Sequence, residues 1–418
     1  MLDIKFIREN PGIVQNAISN KNVAMDLDHL LELDKRVRDL KTRAQALLEY
    51  KNKLTAQIKD APENADLREK SRNAGREYDM LAEALKTAEA DLKELMYLVP
   101  NIPADFAPVG KNESDNKVIK VVGDKPVFDF PILDHVQLLE KNNWAEFGRI
   151  TNVCGTRMYA LKGNMVRYEF ALYQFALNKL MQKGFMPLTV PAMAFEKAFY
   201  GTGFFPTEKE NMYYLPADNL YLTGTAEVIL NSIHEKEILK EEELPILYAG
   251  YAPCFRREAG AAGKDTRGLV RVHQFNKMEQ YVLCQNDTRE SDKWQAVLLN
   301  NIEEIIQDLE LPYHIIECAT GDMGVGKYRM QDIECWCPGQ DKYREIGSCS
   351  TLHEWQARRT NVRYRDQKTD DVKFVHTLNC TGLVTPRLFV PLLENHQTKD
   401  GRIRIPKAMQ PLMGQEYL

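Results

Sequence analysis

The stretch Cys254-Phe255-Arg256-Arg257-Glu258-Ala259-Gly260-Ala261-Ala262-Gly263-Lys264-Asp265-Thr266-Arg267-Gly268, closed by Val270-Arg271-Val272-His273-Gln274-Phe275, sets a charged, glycine-containing turn after an apolar lead-in (residues 245–253) and returns to an aromatic residue. The pattern predicts strand, loop and returning strand. Successive side chains of a strand face opposite sides, so Arg256 and Glu258 are expected to share one face. An arginine fork binds phosphate oxygens bidentately and keeps its charge, while a carboxylate two residues on accepts from an exocyclic amine such as that of adenine. Gly260, Gly263 and Gly268 supply a mobile loop, and Phe275 offers a flat face for a base. An isolated Arg-x-Glu would be an ordinary solvated hairpin. The whole string reads as a site for a nucleotide polyphosphate such as ATP.

The chain of 418 residues, 44% hydrophobic, exceeds the usual size of one core, so two domains are expected. No stretch approaches the roughly 20 apolar residues of a membrane span, and Met1-Leu2-Asp3-Ile4-Lys5 carries charge where a signal peptide needs an apolar core; the cytoplasm is the expected compartment. The eight cysteines are scattered, as suits free thiols in a reducing compartment, and Cys335 with Cys337 lacks the second pair that a zinc site requires. A net charge of −5 argues against nonspecific coating of nucleic acid, so any RNA contact must come from local basic patches.

Leu30, Leu33, Val37, Leu40, Ala44, Leu47, Lys51, Leu54 and Ile58 alternate spacings of three and four, as do Ala74, Tyr78, Leu81, Leu85, Ala88, Leu92, Leu95 and Val99. The break at residues 60–66 contains Pro62, so the two helices are expected to reverse into an antiparallel coiled-coil hairpin. Each arm of about thirty residues would project roughly 45 to 50 Å at 1.5 Å per residue. Basic side chains off the seam, including Lys35, Arg36, Arg38, Lys41 and Arg43, are interleaved with acids, the ordinary dress of a solvated helix. Lys51 on the seam marks a bend or a snorkelling contact. The proline-containing, polar stretch 105–125 reads as a linker. The domain expectation is therefore a hairpin over 1–104, a linker over 105–125 and a second domain over 126–418. Within the last, a helix over 165–182 precedes a short strand ended by Pro191, another helix covers 292–309, and valine- and tyrosine-rich runs between Gly and Pro fit a mainly antiparallel sheet.

The 254–275 string resembles motif 2 of class II aminoacyl-tRNA synthetases in the form found in seryl-tRNA synthetases. Tyr221-Leu222-Thr223-Gly224-Thr225-Ala226-Glu227 resembles that family's Thr-Ala-Glu serine loop, and Tyr343-Arg344-Glu345-Ile346-Gly347-Ser348-Cys349-Ser350 with Gln356-Ala357-Arg358-Arg359 resembles two further strand motifs. Asn379-Cys380-Thr381-Gly382-Leu383 through Arg387, then Glu394-Asn395, resembles motif 3, and the helix and proline-ended strand near 165–191 resemble motif 1.

The resemblance implies an α+β fold: an N-terminal antiparallel α-helical hairpin followed by a class II synthetase-like domain. It implies a homodimeric serine–tRNA ligase using ATP and Mg²⁺, with the hairpin gripping tRNA(Ser) by shape and backbone contact. Whether selenocysteine tRNA is also charged stays open. It assigns ATP to Arg256, Arg257, Glu258, Val272, Phe275, Glu345, Ile346, Gly347, Ser348 and Arg387, with Arg256 and Arg387 catalytic. Serine falls to Thr225, Ala226, Glu227, Arg256, Glu279 and Thr381, and Mg²⁺ to Glu345 and Ser348.

The chain departs from the family at Cys380, where glycine is usual, at Gly347, where serine is usual, at Pro386, where glycine precedes the motif 3 arginine, and at Arg329, where lysine is expected. A noncatalytic paralogue that binds tRNA or ATP, and an enzyme loading a carrier protein, are the alternatives.

Overall fold

The computed structural model describes residues 1–260 and 267–418, so Ala261, Ala262, Gly263, Lys264, Asp265 and Thr266 of the 254–268 string lie outside the described residues. The chain divides into two compact units, one of residues 2–19 and 23–100 and the other of Met1, residues 20–22 and 101–418.

In the first unit, α1 (Ile4–Glu9) and α2 (Pro11–Asn20) precede the two long helices α3 (Leu27–Asp60) and α4 (Ala65–Leu98). The start of α3 is set by Asp26, whose carboxylate accepts from the His29 amide at 3.0 Å. The helix stops before Ala61-Pro62, because proline has no amide to continue the ladder, and Asn64 caps α4 by accepting from the Leu67 amide at 3.1 Å. Leu33, Val37, Leu40 and Ala88 are buried along the seam with Leu81, Leu85, Leu92 and Leu95 packed on them. Each fully buried leucine contributes roughly 1.5 to 3 kcal/mol, which makes this seam the main support of the pair. Lys51 lies within the unbroken helix α3. Its ammonium lies 5.8 Å from the centroid of the Tyr78 ring on α4, which is the snorkelling contact.

The second unit is built on a sheet of eight strands among the described residues: β1 (Lys117–Val122), β2 (Met186–Thr189), β3 (Ile246–Phe255), β4 (Gln274–Cys284), β5 (Tyr313–Glu317), β6 (Arg329–Cys337), β7 (Lys342–His353) and β8 (His376–Thr385), in the order β1-β5-β6-β7-β8-β4-β3-β2. Every neighbouring pair is antiparallel except β2 with β3. Helix α5 (Asn164–Gln182) buries Tyr168, Leu172, Ala176 and Leu180, one residue per turn, and α6 (Thr288–Asp308) buries Leu298, Ile302 and Ile305. Both feed the large apolar core, where Cys335, Cys337, Cys349 and Cys380 are buried free thiols.

The stretch 105–125 differs from the expected linker. Lys117–Val122 is an edge strand whose Val122 pairs with Tyr313 and whose Lys117 pairs with Glu317. Val118, Ile119 and Val121 are exposed there, so the stretch lacks the in-and-out alternation that marks a strand in sequence, and the polar run before it dominates the composition.

Behind the sheet, the His353 and His376 rings stack with centroids 4.5 Å apart, and His376 Nδ1 lies 2.6 Å from Ser291 Oγ. Burial pushes the His353 pKa down to about 4; burial, then the neighbouring His353, pushes that of His376 down to about 3. Unfolded histidine titrates near 6.5, so below that pH the unfolded chain binds protons that the folded one refuses. Stability is therefore held above about pH 6.5 and falls as the pH drops from there toward 4. The urea midpoint is expected to fall between pH 7 and pH 5 in the wild type and to fall less in His376→Gln; equal slopes for the two proteins would exclude the histidine pair as the cause.

Candidate active site

The cleft opens where two central strands stop pairing. The β7–β8 ladder ends at Cys349 opposite Cys380, and beyond it Glu345, Ile346, Gly347 and Ser348 on one side face Thr381 and the segment through Arg387 on the other. A cavity of about 580 Å³ lies there, lined also by Arg256, Glu258, Arg271, Val272, Phe275 and Lys277. Gly347 is demanded by this geometry: a Cβ on it would stand 2.7 Å from Thr381 Cβ and 3.0 Å from Ile302 Cδ1. The Thr381 hydroxyl accepts from the Ser348 amide at 3.4 Å.

Arg256 follows the end of β3, with its amide bonded to the His273 carbonyl at 3.0 Å. The alternation expected to put Arg256 and Glu258 on one strand face does not extend that far. Strand β3 stops at Phe255 and Glu258 is left-handed, with φ +53°. Both side chains line the cleft, brought there by the turn. The guanidinium of Arg256 lies 5.2 Å from the Phe275 ring centroid and donates to the Gly224 carbonyl at 3.3 Å, so the Thr-Ala-Glu loop abuts this arginine. Opposite, Arg387 Nη1 donates to the Glu345 carbonyl at 3.0 Å and to its Oε2 at 3.2 Å, while Nε donates to the Val270 carbonyl at 3.1 Å.

The acids of the serine set sit deeper. Glu279 is 1% exposed, is ion-paired with Lys277, and accepts from the Thr225 hydroxyl at 2.8 Å. The Glu227 carboxylate accepts from Gln356 at 2.7 Å and Asn379 at 2.9 Å. Ala226 is fully buried in a separate apolar cluster and does not line the cleft, nor does Arg257, whose amide bonds the Asn211 carbonyl at 2.8 Å. Cys380, expected beside the pocket, packs into the main core instead, because its position on β8 faces away from the opening. Pro386 lines the cleft. Arg329 holds Glu317 through two bonds of 2.9 and 2.7 Å and takes no part in the cleft wall.

Three residues escaped the sequence reading. Arg271 pairs with Glu258 Oε2 at 2.8 Å, and Lys277 pairs with Glu279; both face the cleft. Their signal was an alternating basic pattern, Arg271 in the returning segment and Lys277 two residues before Glu279. Asp332 pairs directly across from Ser348 and lines an adjoining cavity of about 1030 Å³ shared with Glu345, Arg271 and Arg387. Its Oδ1 is buried without a hydrogen-bond partner, and burial, then the Glu345 charge, holds its carboxyl well above the ordinary range. Asp322 and Asp332 have carboxylate oxygens within 4.8 Å of each other and of the Cys318 thiol, so two hard oxygens stand together in the cavity that Glu345 also lines.

An antiparallel sheet whose central strands converge arginines and acids on one cleft is the class II aminoacyl-tRNA synthetase core, and residues 210–396 match the model of the tRNA synthetase class II core domain (G, H, P, S and T). Residues 1–103 match the seryl-tRNA synthetase N-terminal domain. The chain is 48% identical to a serine–tRNA ligase of Deinococcus radiodurans over 99% of its own length and 98% of that protein's. The crystal structure of seryl-tRNA synthetase from Pyrococcus horikoshii complexed with ATP superimposes with a TM-score of 0.93 at 36% identity, covering 100% of this chain and 99% of that one. The cytoplasmic serine–tRNA ligase of Naegleria fowleri, in complex with AMP, gives 0.87 at 29%, covering 100% and 98%. The chain belongs to the serine–tRNA ligase family.

Removing Lys277 leaves the Glu279 charge buried and unpaired. Lys277→Met is expected to destabilise by about 3 to 5 kcal/mol in chemical denaturation, and adding Glu279→Gln to recover most of that loss; a single mutant as stable as wild type would show that the pair carries no such load.

Proposed function

We propose that this protein activates L-serine with ATP to seryl-adenylate and diphosphate, then transfers serine to the 3′ end of tRNA(Ser). The observation carrying this reading is one cleft that gathers Arg256, Glu258, Phe275, Glu345, Ser348, Thr381 and Arg387 from separate strands and the turns that follow them, in a chain of the serine–tRNA ligase family. A serine carboxylate oxygen attacks the α-phosphorus in line while the bond to diphosphate breaks. Both partners are negative, so positioning and charge neutralisation are what the protein contributes.

Arg256 stands at the α-phosphate and the serine carboxylate, and Arg387 at the far end of the triphosphate. Glu258, held by Arg271, accepts from the adenine amine, Val272 supplies backbone contact, and Phe275 stacks on the base. Ile346 and Gly347 complete the nucleotide wall, while Arg257 follows Arg256 in the turn and stands outside it. Glu279 takes the serine ammonium, and Thr225, Thr381 and Glu227 surround the side-chain hydroxyl, with Ala226 contributing backbone alone. Mg²⁺ fits at Glu345 and Ser348, because the oxygen-rich set extends to the unpartnered Oδ1 of Asp332 across the strand pair; when bound, the ion neutralises developing phosphate charge. In the second step a terminal ribose hydroxyl attacks the adenylate carbonyl and AMP leaves with its phosphate.

The long helices α3 and α4 serve the tRNA, with basic residues such as Lys35, Arg36 and Arg43 facing its backbone. The chain acts as a homodimer in the cytoplasm. Its exposed apolar residues Val166 and Phe170 on α5 and Met186 on the edge strand β2 suit burial against a second copy. No helix among the described residues is long and apolar enough to cross a membrane.

ATP–diphosphate exchange with a panel of amino acids is the direct test. Exchange is expected with serine and to be weaker with alanine by a factor of roughly 10⁴, since a site built to bond a hydroxyl rejects the analogue lacking it. No exchange with any amino acid, alongside retained tRNA binding, would favour the noncatalytic paralogue. Deleting residues 30–98 is expected to leave serine-dependent exchange within a few-fold while tRNA charging collapses; undiminished charging by the truncated protein contradicts the role given to the helical arm.

A further inference from the structure

Residues 20–22 and 101 flank the helical arm in sequence and belong to the catalytic unit. Both ends bond one short loop, residues 324–327, immediately before β6. The Lys21 ammonium donates to the carbonyls of Gly324 at 3.3 Å, Val325 at 3.1 Å and Lys327. Asn101 bonds the same loop: its amide also donates to the Val325 carbonyl, at 2.9 Å, and its Nδ2 to the Gly326 carbonyl at 3.1 Å and, outside the loop, to that of Leu352 at 2.9 Å. Lys21 is 6% exposed, and burial, then nearby Lys327, holds its pKa well below the ordinary range. A buried ammonium satisfied by carbonyl dipoles is a costly way to fill space, and an apolar side chain of similar length would fill it without that cost. What lysine adds is three donors on one loop.

The loop ends at the amino-acid side of the cleft. A Cβ on Gly326 would stand 2.5 Å from the Trp355 ring, so the backbone packs against that ring with no room for a side chain, and the residue after Trp355, Gln356, donates to Glu227 at 2.7 Å. The loop's own Lys327 brings its Nζ to 3.9 Å from Glu227 Oε1, with side-chain exposures of 19% and 7%. Glu227 is thus held by Gln356 of the helix that begins at Trp355, by Asn379 of β8 and by the clamped loop.

We propose that Lys21 and Asn101 are positioning residues for the serine end of the cleft, clamping residues 324–327 so that Lys327 stays at the Glu227 carboxylate. The proposal rests on the assignment of Glu227 to serine binding. Its test is serine-dependent ATP–diphosphate exchange by the full-length protein, with serine and ATP varied separately, for Lys21→Met, Lys327→Met, the double mutant and Glu227→Gln. Lys21→Met is expected to raise the serine KM roughly tenfold, as a displacement of about an ångström would, with the ATP KM and kcat within about twofold of wild type. The double mutant is expected to match Lys327→Met alone, because Lys21 acts through Lys327. A Lys21→Met enzyme with lowered thermal stability and an unchanged serine KM, or effects of Lys21→Met and Lys327→Met that multiply, would overturn the clamp. A Glu227→Gln enzyme with an unchanged serine KM overturns the Glu227 assignment instead. Should Lys21→Met not accumulate as folded protein, Asn101→Ala, which removes the bonds to Gly326 and Leu352, is judged by the same two kinetic outcomes.

Discussion

The cleft depends on one interruption of hydrogen bonding, the point past Cys349 and Cys380 at which β7 and β8 cease to pair. A continuous ladder would have closed the sheet and left no room for a ligand among its central strands. Backbone amides freed there need other partners; the Ser348 amide finds one in the Thr381 hydroxyl. Gly347 belongs to the same constraint, because any Cβ at that position would run into Thr381. Divergence from the family's usual serine at 347 is thus tied to the side chain facing it across the opening. The outward-facing charges that follow, Glu345 on β7 and Arg387 after β8, meet over this gap at 3.2 Å.

Each acid around the cleft has a dedicated partner. Glu258 has Arg271, Glu279 has Lys277 and Thr225, Glu345 has Arg387, and Glu227 has Gln356 and Asn379. Buried charges without such partners would cost several kcal/mol or lose their charge. With them, dipoles and charges are fixed in place, and polar groups that need not reorganise during a reaction stabilise charge more effectively than water does. Asp332, in the adjoining cavity, is bonded to the Cys318 thiol but keeps one oxygen, Oδ1, without a partner. Burial, then the Glu345 charge, holds its carboxyl well above the ordinary range.

The two units draw on different physics. The long helices bury a narrow seam of leucine and alanine, with capping at Asp26 and Asn64 and a ring under Lys51, so their order is mostly local. The catalytic unit draws its core from helices and strands hundreds of residues apart, and its polar contacts run as far as from Lys21 to Lys327.

The heptad spacing of residues 30–58 and 74–99, the proline break between them, the helix near 165–182 and the charged hairpin after β3 were legible in the sequence, because each depends on periodicity or on residues near one another in the chain. So were most residues of the cleft, through motifs quoted in order. The strand at 117–122 was not, because an edge strand with exposed valines lacks the alternation that burial imposes. The turn that puts Glu258 at positive φ, the retreat of Cys380 into the core, and the pairings of Arg271, Lys277 and Asp332 depend on which strands lie side by side and where their ladder ends. Local composition decided what elements this chain forms and what chemistry they carry; register between distant strands decided which of those groups meet, because a shift of one residue turns every side chain to the other face.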